Sequence, residues 1–266
     1  MNEVIELMSR DGRSTAAVSP FGARVLSWIC NGKARLFMPA SAVANERNAP
    51  HGGIPVLFPQ FGLFGDGPKH GVVRHLDWVL DERGDDFVLF CLALEQDEVI
   101  PAADVRLRVQ LESNAIGIYF SVINSSSELM QFTCGLHTYL RVDDVANAQL
   151  LGLERGVWYD ALQGLARQGP SHEVLSGPVN VDRVYANAPN QLTLVDGATR
   201  TIIEQQGFSD TVVWNPGPDL ARDLKDLSGD EWRNFLCLEA AQIMPPVELP
   251  AWDTWYGHQR LHVEDA

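Results

Sequence analysis

Val105-Arg106-Leu107-Arg108-Val109-Gln110-Leu111 alternates apolar and polar residues without a break. A helix advances ~100° per residue and would scatter these side chains around its axis. In a strand, successive side chains take opposite faces, so the same residues give one dry face and one wet face. Residues 191–195 repeat the pattern more briefly, and 87–94, 116–123, 201–204 and 235–238 are β-rich runs of strand length. Turn chemistry separates them: Glu-Ser-Asn at 112–114, Asn-Ser-Ser-Ser at 124–127, Val-Asp-Gly at 195–197. No segment keeps a 3.6-residue period over three turns. With 22 glycines and 15 prolines spread along the chain, elements stay short and connections favour antiparallel pairing. The pattern predicts an all-β fold of a dozen or more strands in large antiparallel sheets, packed as a sandwich.

The chain has 266 residues, 45% of them apolar, enough for a core that needs no disulfide staple. Sandwiches of this size commonly form one domain, and residues 1–266 are read as one. Lys and Arg total 20 against 35 Asp and Glu, a net charge of −15. That field repels a nucleic-acid backbone or an anionic membrane. A small neutral ligand remains open, whereas an anionic one needs a local cluster of cations. Cys30, Cys91, Cys134 and Cys237 are far apart in apolar sequence and read as buried reduced thiols. The first residues carry acids and no apolar core of a signal peptide, and no stretch approaches the ~20 apolar residues of a membrane span. A cytoplasmic location is expected. Residues 39–70, rich in Pro, Gly, Ala and Asn, are irregular yet too apolar for disorder, and should pack as an ordered loop over one face.

Seven histidines are present, without H-x-H or H-E-x-x-H. His258 and His262 are four apart near a charged end and read as surface. His137 alternates with apolar neighbours in Cys134-Gly135-Leu136-His137-Thr138-Tyr139. It is either a buried imidazole satisfied by a backbone carbonyl or an acid–base group. Glu239 ends the uncharged run Phe235-Leu236-Cys237-Leu238. There it is either a strand-end carboxylate reaching water or a base whose pKa desolvation raises. Lys69, His70 and Arg74 lie within six residues beside the Pro/Gly loop, as a solvated basic turn or as a ligand-facing cluster. Asp182, at the start of Val181-Asp182-Arg183-Val184-Tyr185, caps a turn or accepts hydrogen bonds from hydroxyls. The seven tryptophans can fill a sandwich core or stack on sugar faces.

These motifs occur in one order: Gly52-Gly53-Ile54-Pro55-x-x-x-Pro59-x-Phe61-Gly62, His70-Gly71-x-x-Arg74-x-x-x-Trp78, Leu136-His137-Thr138-Tyr139, Asp182-Arg183-Val184-Tyr185, Val213-Trp214-Asn215-Pro216 and Cys237-x-Glu239. From about residue 20 to 260, the chain resembles the hexose-6-phosphate mutarotases, or glucose-6-phosphate 1-epimerases, of the aldose 1-epimerase-like superfamily. The resemblance implies a galactose-mutarotase-like β-supersandwich. It also implies interconversion of the anomers of an aldohexose, with His137 as general acid and Glu239 as general base facing one cleft. Neither a metal nor an organic cofactor is implied, because an acid–base pair suffices for ring opening.

Asp182 then matches a sugar-binding acid and Arg74 a cation of the substrate site, with His70 beside it. Two positions depart from the pattern. His51 stands where the family usually has Arg, which removes a permanent charge and its bidentate fork. Lys69 stands where Gln is common. The expectation is that Lys69 and Arg74 form the cationic end of the pocket, with His51 contributing when protonated. The alternatives are a mutarotase of unphosphorylated aldoses and a non-catalytic carbohydrate-binding protein; a binding module needs neither acid nor base. A glycoside hydrolase would need two positioned carboxylates. The expected partner is a small sugar or sugar phosphate, bound by a monomer.

Overall fold

The computed structural model describes residues 3–43, 50–97, 101–170 and 172–265. Strands make up 51% of it and helix 7%, as the alternation demands. A nine-stranded sheet runs, in spatial order, Leu175–Ser176, Gln149–Leu151, Gln191–Asp196, Thr199–Gln206, Thr254–Asp265, Ala115–Asn124, Ala103–Leu111, Phe87–Leu94, Val79–Arg83. An eight-stranded sheet runs Ala166–Gln168, Trp158–Asp160, Val181–Tyr185, Asp210–Asn215, Phe235–Leu249, Met130–Leu136, Val56–Leu57, with Tyr139–Arg141 also pairing along Phe235–Leu249. Four further strands, from Ile5–Met8 to Lys33–Ala34, form a smaller sheet. Every pairing between these strands is antiparallel.

The core fills the space between the two large sheets. In the strand Ala103–Leu111, Val105, Leu107 and Val109 are fully buried while Asp104 and Arg106 face water. Each such apolar side chain contributes about 1.5–3 kcal/mol, and a one-residue slip would turn all of them outward. Phe120 and Trp255 from the nine-stranded sheet meet Phe58 and Phe132 edge-on, with ring centroids 5.9–6.1 Å apart across the sandwich.

The eight-stranded sheet is apolar on both faces. Leu236, Leu238 and Ala240 enter the inter-sheet core, while Phe235, Cys237 and Ala241 point the other way, into two smaller clusters. The described part of the irregular region covers that outer face. Phe61 and Phe64 pack there on Val184, Val212 and Ala241. Cys30, Cys134 and Cys237 are buried free thiols, but Cys91 is only half-buried, because it projects from the face of its strand opposite to the buried Val88 and Phe90, beside the exposed Val79 and Arg106. His258 and His262 share one face of a strand, with His262 Nε2 2.8 Å from the Asn114 amide. Among the described residues, no helix is long and apolar enough to cross a membrane.

Candidate functional site

The ladder places the two central residues. Leu136 pairs with Ala240 and Tyr139 with Cys237, so counting inward from both pairs sets His137 opposite Glu239. The backbone confirms this register, because the Leu238 N–H donates to the Thr138 carbonyl at 3.1 Å. Strand parity does the rest. With Leu136, Leu238 and Ala240 committed to the inter-sheet core, His137 and Glu239 must project from the outer face. The two residues are distant in sequence, yet His137 Nδ1 lies 3.5 Å from Glu239 Oε2. Both atoms are buried without a hydrogen-bond partner, and Tyr139 stacks on the imidazole at 4.6 Å with planes 7° apart.

A cavity of about 330 Å³ opens over this pair, lined also by Lys69, His70, Asp182, Trp214 and the loop residues Phe61 to Phe64. Asp182 pairs with Trp214, and Val212 with Glu239, so parity puts Asp182 on the same face. Burial raises its pKa to about 6, with Lys69 opposing and Asp160 reinforcing the shift. Burial also drives Glu239 well above the ordinary carboxylate range, helped by Asp182 and opposed by Lys69. His137 is driven well below its ordinary value by burial and then by His70, His51, Arg74 and Lys69. Both shifts favour the uncharged forms. The pair therefore holds one proton, net neutral whether it sits on carboxyl or imidazole.

His70 sits at φ +66°, a conformation uncommon for a residue with a Cβ. The next residue must be glycine: a Cβ on Gly71 would lie 2.0 Å from the Phe58 carbonyl oxygen. The turn brings the His70 ring edge-on to His137, centroids 5.5 Å apart. Burial, then Arg74, Lys69 and His51, lower its pKa to about 3. Its Nδ1 accepts from the Gly62 N–H at 3.2 Å, so its one proton is on Nε2, as a hydrogen-bond donor.

Arg74 and His51 are placed differently. Arg74 is not among the residues lining the cavity; its guanidinium donates to the Lys69 carbonyl at 3.2 Å. It braces the turn that carries Lys69. His51 lies beside the cavity, stacked on Trp214 at 6.0 Å, with ring Nδ1 2.7 Å from Asp226 Oδ1 and its backbone N–H donating to Oδ2 at 3.0 Å. Burial pushes the Asp226 carboxyl up, but the His51 hydrogen bonds outweigh this and hold it low. Arg24, buried below, donates to the carbonyls of His51 and Gly52. Sequence reasoning nominated neither Arg24 nor Asp226. Arg24 lies in an ordinary strand-rich region, and Asp226 sits in a polar stretch with other acids. Cys237, read from the sequence as a buried reduced thiol, brings with His137 and Glu239 ligand-capable atoms within 4.8 Å of one another.

The profile of the family described as aldose 1-epimerase matches residues 4–262. A protein of Cenchrus ciliaris named "Putative glucose-6-phosphate 1-epimerase" is 30% identical, over 92% of this chain and 80% of its own length. A protein of Escherichia coli K12 with the same name is also 30% identical, over 83% of this chain and 77% of its own. A crystal structure of a Salmonella typhimurium protein described as "a putative mutarotase" superposes with a TM-score of 0.86, covering 99% of this chain and 90% of that one, at 22% identity.

Proposed function

This chain belongs to the aldose 1-epimerase family and is an isomerase; from that premise we propose that it interconverts the α and β anomers of a hexose 6-phosphate, with Glu239 and His137 as the acid–base pair. The observation that carries this reading is the buried, unpartnered pair at 3.5 Å on the floor of a sugar-sized cavity. A cyclic sugar carries its anomeric hydroxyl and its ring oxygen on the same carbon. Glu239 takes the hydroxyl proton while His137 protonates the ring oxygen, and the C1–ring oxygen bond breaks to leave a free aldehyde. The proton has then moved from imidazole to carboxyl. Rotation about C1–C2 and reclosure with roles reversed yield the other anomer and restore the pair. Each turnover passes through both one-proton arrangements, which suits a pair whose surroundings penalise gaining or losing net charge.

Asp182 and the Nε2–H of His70 serve the sugar hydroxyls as acceptor and donor. Lys69 is the charge placed to receive a phosphate. Burial, and then the basic groups around His137, hold its proton affinity down; a phosphate dianion among those groups offsets their part and favours the imidazolium that must protonate the ring oxygen. The names carried by the relatives from Cenchrus ciliaris and Escherichia coli support the same substrate. Action on an unphosphorylated aldose is favoured by two features: His51 carries no fixed charge, and Arg74 does not line the cavity. Polarimetry of freshly dissolved α-glucose and α-glucose 6-phosphate decides between them. A higher kcat/KM for the phosphate supports the proposal, whereas parity or a preference for glucose selects the second reading.

A further inference from the structure

The geometry points to a site for a borderline-soft divalent cation of the Zn2+ or Co2+ kind, built from His137, Cys237 and Glu239, whose occupation shuts the cavity to sugar. One ligand-capable atom from each of the three residues lies within 4.8 Å of the other two, and all three residues are buried. Two of the donors already stand at coordination distance. Tetrahedral ligands ~2.0–2.3 Å from a zinc ion are about 3.3–3.6 Å from one another, and His137 Nδ1 is 3.5 Å from Glu239 Oε2. Neither atom has a hydrogen-bond partner that a metal would have to displace. The Cys237 thiol, packed among Phe37, Tyr139 and Phe235, lies within 4.8 Å of a ligand atom on each of the two residues.

The donor set selects the ion. One nitrogen, one thiolate sulfur and one carboxylate suit Zn2+, Co2+ or Cd2+, whereas Mg2+ and Ca2+ take oxygen shells. A dication with thiolate, carboxylate and neutral imidazole sums to zero charge, which a dry pocket tolerates. Lys69 opposes the ion from the cavity wall and Asp182 favours it. The open fourth position faces the cavity. Binding loses the thiol and carboxyl protons to solvent and involves no redox change. It ties up the same two side chains that the ring opening uses. The inhibition, though not the binding, rests on the reading of the cavity as the mutarotase site.

Cobalt tests the binding directly, because a thiolate–Co2+ bond has its own near-ultraviolet charge-transfer absorption. Titrating the full chain with Co2+, free of added thiols, should raise that band to saturation at one equivalent. Zn2+ should erase it and Mg2+ should not. The band should persist in Cys91→Ser, whose thiol is half-buried and elsewhere, and vanish in Cys237→Ala. Should Cys237→Ala not fold, Glu239→Gln and His137→Asn give the second check, each weakening Co2+ binding about tenfold or more. A wild-type chain without the band, or a band that survives Cys237→Ala, overturns the site. In parallel, Zn2+ should stop anomer exchange and a chelator should restore it. A chain that binds Co2+ through Cys237 but never exchanges anomers overturns the functional reading and upholds the site. Exchange in a chain without the band upholds the function and overturns the site.

Discussion

The Thr138 hydroxyl donates a 2.6 Å hydrogen bond to the side-chain oxygen of Gln259, and the amide of Gln259 donates at 3.1 Å to the Leu238 carbonyl. Gln259 belongs to the nine-stranded sheet, and its two partners are the neighbours of His137 and Glu239. One buried side chain, 1% exposed, thus reaches through the core and ties the Thr138 hydroxyl beside His137 to the Leu238 carbonyl beside Glu239. An apolar replacement leaves a hydroxyl and a carbonyl unsatisfied.

Gln259→Leu should therefore cost about 1–3 kcal/mol of stability, the penalty of stranded buried polar groups. It should also lower kcat while KM changes little, because no part of Gln259 lines the cavity. Denaturant unfolding and anomer-exchange kinetics check the two effects. Lost stability with unchanged kcat would mean that the link holds the sheets together without positioning the pair.

A second expectation concerns pH. Asp182 titrates at about 6 in the fold against ~3.9 in an unfolded chain. Because its folded pKa is raised, the group stabilises the fold while protonated. That contribution is complete below pH ~4 and is lost as pH rises through about 6, amounting to about 2–3 kcal/mol at most. Asp182→Asn should remain unaffected by that loss, so its stability relative to wild type should climb between pH 4 and 7. Unfolding free energies of both proteins across that range give the difference, and a flat difference contradicts the raised pKa. KM for the sugar should rise in the same variant at every pH.

Lys69 and Arg74 should separate by substrate. Lys69→Met removes the cation that lines the cavity and should lower kcat/KM for the sugar phosphate ~10–100-fold, the worth of a charge-assisted hydrogen bond. Its effect on the free sugar should be small. Arg74→Met loosens the turn and should harm both substrates alike. Steady-state kinetics on both sugars check this, and a selective loss of the phosphate in Arg74→Met would place the guanidinium at the phosphate.

Much of this architecture is readable in the sequence, for a physical reason. Alternation in 105–111 and the turn clusters around it follow from side-chain parity, which the strand Ala103–Leu111 obeys. His137 and Glu239 stand out because each is a polar group among residues that must be buried. The full strand Phe235–Leu249 is longer than its apolar run, since Gln242, Pro245 and Pro246 break the pattern without ending the ladder. Proximity to a cavity is a different matter. Arg74 is read as a substrate-site cation from its match to the family motif; in the structure it does not line the cavity, and its guanidinium donates to the Lys69 carbonyl while still acting electrostatically on His137 and His70. The roles of Asp226, Arg24 and Gln259 depend on contacts between remote segments, and nothing local in their sequence distinguishes them from surface acids, ordinary strand residues or polar core.

The account stands on the pair His137 and Glu239, and saturation-transfer NMR tests it at equilibrium: irradiating the α-anomer H1 of glucose 6-phosphate should bleach the β-anomer H1 when the enzyme is present. Glu239→Gln keeps the shape and removes the base, and His137→Asn removes the acid, so each should slow the transfer by ~10²–10⁴ while melting at close to the wild-type temperature. Near-wild-type exchange in either folded variant would contradict the account.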